Sequence, residues 1–119
     1  WGLWHVPFFI GPLALTGPDV TLLSASITFG EYMVGIVGFT VLMTWVFNNT
    51  GGSVLIAILL HLGFDVGWTF APNFPTVANT ITPISLALGM GIIFGLVATA
   101  IIIATRGRLG YQGSPVSDA

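Results

Sequence analysis

Long apolar stretches separated by short polar turns make up nearly all of this chain. Residues 1–9 are aromatic and apolar and read as the end of a helix that begins upstream. Pro7 and then Gly11-Pro12 stop it, and Thr16-Gly17-Pro18-Asp19 is turn chemistry. From there to about residue 29, Thr and Ser mix with apolar side chains, the pattern of a loop with an interfacial or partial helix. A first complete span is expected over about 31–47, of adequate length if it begins near Ile27. Asn48-Asn49-Thr50-Gly51-Gly52 is a tight polar turn, and a second span follows over about 53–70. Residues 71–83 hold Pro and Asn and read as a loop outside the hydrocarbon. The third span, about 84–104, is the cleanest, since about 20 apolar residues match a core of roughly 30 Å. Arg106 and Arg108 follow, then a polar Gly/Ser/Pro tail over 106–119 that is expected to be disordered. The pattern predicts an all-α fold: a polytopic transmembrane helix bundle of about three full spans plus the end of a preceding helix.

Composition agrees with that pattern. Of 119 residues, 55% are hydrophobic and only 5% charged, whereas soluble domains carry about a quarter charged residues. Two Arg, three Asp and one Glu cannot clothe a water-facing surface, so the expected partner is a lipid bilayer. No basic patch exists, and nucleic acid is not expected as a partner. The absence of cysteine excludes disulfides, thiolate metal sites and cysteine nucleophiles. The chain opens on Trp1 inside an apolar stretch, with no charged n-region or cleavage site, and reads as the C-terminal part of a longer membrane protein. Both cations flank the last span, which by the positive-inside rule places the C-terminus in the cytoplasm. Alternation then sets the 48–52 turn on the cytoplasmic side and the 71–83 loop outside. Gly63-x-x-x-Gly67 and Gly91-x-x-x-Gly95 fit close helix packing.

Few groups in this chain can do chemistry. His61-Leu62-Gly63-Phe64-Asp65 puts an imidazole and a carboxyl one helical turn apart, on one face, within an apolar run. An acid at mid-bilayer costs on the order of 2.5–3.5 kcal/mol, so such residues persist mainly where they do a job. His5, in Trp1-Gly2-Leu3-Trp4-His5-Val6-Pro7, also lies in or against the bilayer. The competing reading is that these groups are polar glue between helices. Glu31 starts a span near the headgroups, where a carboxylate at a helix N-terminus is favourable. Asp19 belongs to a turn and Asp118 to the tail. Trp1, Trp4, Trp45 and Trp68 suit interfacial belts, and Trp1 and Trp4 are also placed to wall a site around His5. His5, His61 and Asp65 converging among the helices would suit metal ligation, a proton relay or peptide-bond hydrolysis. Spacing alone does not choose among the three.

The order of the segments adds a resemblance. Trp1-Gly2-Leu3-Trp4-His5-Val6-Pro7 resembles the second motif of the CPBP family of intramembrane proteases, which includes the CAAX prenyl endopeptidases and bacterial relatives. That motif is an aromatic residue, three residues, then a histidine running on into a small apolar residue and proline. Asn49-Thr50-Gly51-Gly52-Ser53, followed by Ile58-Leu59-Leu60-His61-Leu62-Gly63-Phe64-Asp65, is similar to a later family motif. There a Thr-Gly-Ser turn leads into a helix carrying histidine and, four residues on, asparagine or a related side chain. The two motifs occur in family order with one span between them and cover roughly residues 1–70.

The resemblance implies that residues 1–105 are the C-terminal part of a CPBP-type protease domain in a bacterial cell membrane. His5 would help hold or activate the attacking water, and His61 would line the same cavity. Asp65 would stand where the family carries asparagine, which with the histidine forms the oxyanion hole. An ionised carboxylate repels an oxyanion, so that role requires a protonated Asp65 or a cationic His61. Otherwise Asp65 accepts the N–H of His61 and fixes its tautomer. The family's general base, a paired Glu-Glu with a downstream Arg, is absent from this chain, and the polypeptide alone is expected to be inactive. The implied substrate is a peptide or protein, prenylated peptides included. No cofactor is expected, since a glutamate-activated water needs none. Zinc is the alternative, with His5 and His61 as ligands. Rival readings are a non-catalytic scaffold of the bacteriocin-immunity kind and a proton- or metal-handling transporter using His61 and Asp65.

Overall fold

The structure, a computed structural model, describes residues 2–7, 21–70 and 83–111, with backbone alone for residue 68 and residues 83–87. Trp1, Asp19, residues 71–82, where a loop was expected, residues 112–119 with Asp118, and the Trp68 side chain lie outside the described residues. All regular structure among the described residues is helical. A 3-10 turn over Gly2–His5 precedes α1 (Leu22–Asn49), α2 (Val54–Phe70) and α3 (Pro83–Thr105).

α1 is 28 residues long, about 42 Å at 1.5 Å per residue, and it starts nine residues before the expected 31. The cause is a reciprocal cap. Thr21 Oγ1 accepts from the Ser24 N–H at 3.1 Å, while Ser24 Oγ accepts from the Thr21 N–H at 2.9 Å. This is a capping box with serine in the place usually held by Glu or Gln. The hydroxyls of Ser26 and Thr28 donate to the carbonyls of Leu22 and Ser24 at 2.8 and 3.0 Å. Side chains that read as loop are thus absorbed by the helix's own backbone. Thr21→Ala is expected to cost about 1 kcal/mol, seen as a lower midpoint in detergent unfolding. An unchanged midpoint would mean that the cap does not set the helix start.

α2 has 17 residues, about 25 Å, and α3 has 23. Two helices are long and apolar enough to cross a membrane: α1 and, within α3, Leu88–Thr105. The apolar part of α2, Val54–Gly67, is shorter. Where about three full spans were expected, two helices meet the length. Only 28% and 11% of their apolar windows are buried, and Leu55, Leu59, Ile93, Leu96 and Ile103 all face outward. Soluble monomers rarely turn so much contiguous apolar surface to water.

α1 and α3 run parallel and in close contact. Gly35 meets Met90 and Gly91, and Gly38 meets Phe94. A Cβ at Gly38 would lie 2.6 Å from the Phe94 carbonyl carbon and oxygen, and one at Gly91 would lie 3.2 Å from the Glu31 oxygen. Gly91 therefore packs as expected. Gly95, Gly63 and Gly67 have open space where a Cβ would be, so the expected Gly63-x-x-x-Gly67 contact is not made among the described residues. The physical reason is that α2 returns antiparallel along α1 with much sparser contact. Its main purchase is Phe64 stacked on Phe39 at 4.6 Å, with Phe94 edge-on to Phe39 at 5.2 Å. Phe39 is fully buried at this crossing.

The chain reverses after α1 through Gly51 and Gly52, both left-handed at φ +65° and +76°. α3 ends in a Schellman motif: the Gly107 N–H donates to the Ile102 carbonyl at 2.8 Å and the Arg106 N–H to Ile103 at 3.2 Å. Asn48 Nδ2 donates to the Leu109 carbonyl at 2.9 Å. The α1–α2 turn and the segment after α3 therefore share one end of the bundle, the relative placement that alternation predicts.

Candidate functional site

His5 closes the 3-10 turn, and Gly2 is what lets that turn lie against α1. A Cβ there would come within 2.8 Å of Met33 Sδ and 3.4 Å of Ile36. The imidazole packs on the Tyr32 ring, centroids 5.4 Å apart and tilted by 55°. Trp4 is 79% exposed: one residue before His5, it is turned away from α1 and does not wall the histidine.

His61 and Asp65 face each other on α2 with Nε2 and Oδ2 3.4 Å apart. That is looser than an N–H···O hydrogen bond of about 2.7–3.2 Å. The imidazole stands edge-on to Phe39 at 6.0 Å. Together with Met43, Ile58 and Leu62, the pair lines a groove of about 380 Å³. The groove is open and otherwise apolar, and Asp65 is the more exposed of the two, at 57% of its side chain against 35% for His61.

α2 runs opposite to α1, so Asp65 lies toward the N-terminal half of α1. Tyr32 and Phe39 are seven residues apart on one face of α1, about 10 Å along the axis. The two imidazoles thus stand at different levels of that face, His5 on Tyr32 and His61 on Phe39. The structure brings His61 and Asp65 together on α2 and sets His5 apart from them, on Tyr32. His5 does not line the groove.

Tyr32, only 6% exposed, is the site residue that the sequence reading missed. Its signal was a phenol inside an apolar stretch, since a buried tyrosine hydroxyl normally finds a polar partner. Glu31 also moves. Because α1 starts at Leu22, it lies well inside the helix rather than at its N-terminus, and its Oε2 is buried with no hydrogen-bond partner among the described residues.

Zinc takes three or four N, O or S ligands. Among the described residues no three His, Cys, Asp or Glu side chains gather. His61 and Asp65 offer two donors at one level while His5 stands at another, so these residues do not fit a zinc site. What they do fit is proton exchange and orientation. An imidazole beside a carboxylate has a preferred tautomer and a nearby acceptor for the charge it takes up. No family model matches the chain, and neither a curated protein nor a solved structure gives a match.

Proposed function

We propose that this chain is the C-terminal part of an intramembrane endopeptidase of the CPBP type, lodged in a bacterial cell membrane with its C-terminus cytoplasmic. α2 then serves as a third, short span, accommodated by local thinning of the bilayer. The observation that carries the reading is the His61–Asp65 pair opening on a groove between apolar helices, within a stretch similar to a family motif. In this reading a glutamate preceding Trp1 activates water. His5, seated on Tyr32, holds or relays a proton for it, and no metal takes part. His61 and Asp65 stabilise the developing oxyanion, with Asp65 protonated or His61 cationic. The substrate is a peptide or protein segment, prenylated or not, that reaches the open groove near the membrane surface.

A second reading, a proton-handling transporter, is favoured by the buried Oε2 of Glu31 on the same helix as Tyr32. One variant separates the two. Asp65→Asn, in the protein with its upstream segment and reconstituted in liposomes, is expected to keep peptide cleavage within about tenfold, because an amide donates to an oxyanion without repelling it. Loss of cleavage together with loss of proton flux would replace the peptidase reading with the transporter.

A further inference from the structure

Where the α1–α2 turn meets the segment after α3, Asn48, Asn49, Gly51, Gly52, Gly110 and Tyr111 line a second cleft of about 440 Å³. Its lining is largely polar, unlike the groove beside His61. The cleft is held by its own bonds. Asn48 Nδ2 donates to Leu109 at 2.9 Å, Asn49 Nδ2 to Trp45 at 2.8 Å, and the Tyr111 N–H to Arg108 at 2.8 Å. Gly51, Gly52 and Gly110 have φ of +65°, +76° and +76°, so glycine backbone forms much of the wall. The N–H groups of Gly51 and Gly110 have no acceptor among the described residues. Arg106 and Arg108, the only cations in the sequence, stand four and two residues before Gly110 on the segment that leaves α3, beside the cleft's lining residues in the chain and not among them. Both are exposed and form no ion pair among the described residues. Glu31 and Asp65 lie toward the other end of the bundle.

Open N–H groups of Gly51 and Gly110, the remaining amide N–H groups of Asn48 and Asn49 and the Tyr111 phenol at the cleft, with two guanidinium groups on the adjoining segment, suit an anion with several oxygens. We infer that this cleft binds a phosphate group. If α1 and α3 cross a bilayer, it lies at headgroup depth, where the phosphodiester of an anionic lipid is the prevalent source and attracts flanking arginines. Free phosphate is the other source. The inference rests on the membrane placement and not on the peptidase reading, so either can fail alone.

The test is a titration of the protein in a neutral maltoside detergent, followed by tyrosine and tryptophan fluorescence and by thermal stability. Three probes are compared: short-chain phosphatidylglycerol, the zwitterionic phosphatidylcholine of equal chain length, and inorganic phosphate. Phosphatidylglycerol is expected to saturate and to bind about tenfold more tightly than phosphatidylcholine, whose choline meets the arginines. The Arg106→Asn/Arg108→Gln double variant should weaken it by about tenfold or more. Asparagine is chosen because it tolerates the left-handed φ of +53° at residue 106. Tyr111→Phe, which leaves the backbone and both charges in place, should weaken it a few-fold. Arginine-dependent saturation by inorganic phosphate at equal affinity would keep the site and assign it to a soluble anion. Equal response to both lipids, full affinity in the double variant, or no saturation by any probe would overturn the inference.

Discussion

On the proposed peptidase reading, alanine at His5 is expected to reduce peptide cleavage by about 10²–10⁴-fold, the range for removing a positioned acid–base group. Alanine at His61 should cost about 10²–10³-fold, as for removing one oxyanion donor. Both variants should still insert in the membrane. His5 belongs to a short turn packed on Tyr32, and His61 is half-buried at the edge of Phe39, so neither side chain is a main element of the α1–α3 contact. Cleavage would be followed in the protein with its upstream segment, with insertion checked by alkaline extraction. Cleavage within about tenfold of the parent in both variants would remove these residues from the chemistry. A structural role predicts a different result, in which stability and cleavage fall together.

Gly38→Leu should be the most damaging substitution for the fold. The obstacle is helix backbone, the Phe94 carbonyl 2.6 Å from where a Cβ would stand, and backbone cannot swing aside as a side chain can. α1 and α3 must therefore separate, which also opens the 5.2 Å contact between Phe39 and Phe94. Overpacking costs about 1–3 kcal/mol and occasionally more, and this site belongs at the upper end, about 3 kcal/mol. Gly95→Leu, on the same α3 helix but with open space at its Cβ, is the control and should change stability by less than about 0.5 kcal/mol. Equal unfolding midpoints for the two variants would show that the α1–α3 contact is not as close as described.

Some of this architecture was legible in the chain and some was not. The Pro before Ile84 and the Arg after Thr105 bound α3 to within a residue at each end, Pro83–Thr105 against an expected 84–104. The Asn-Thr-Gly-Gly turn bounds α2 as closely. The start of α1 was hidden because Thr21 and Ser24 cap it without the usual Glu or Gln, and because Ser26 and Thr28 look like loop residues until their hydroxyls turn back on the helix. Helix pairing was legible only at Gly91. These helices are apolar on every side, so no stripe marks the face that packs. The glycines at the close approach, Gly35 and Gly38, are three apart and do not form a Gly-x-x-x-Gly pair. The His61–Asp65 encounter followed from one helical turn. The placement of His5 on Tyr32 depends on tertiary docking at Gly2, which no local pattern encodes.

The bond from Asn48 to the Leu109 carbonyl has a practical consequence for mapping topology. Because parallel α1 and α3 finish side by side, an epitope inserted between Thr50 and Gly51 and a fluorescent or enzymatic reporter attached beyond Tyr111 must read the same compartment. Discordant readings from the two would show that one of these helices does not cross.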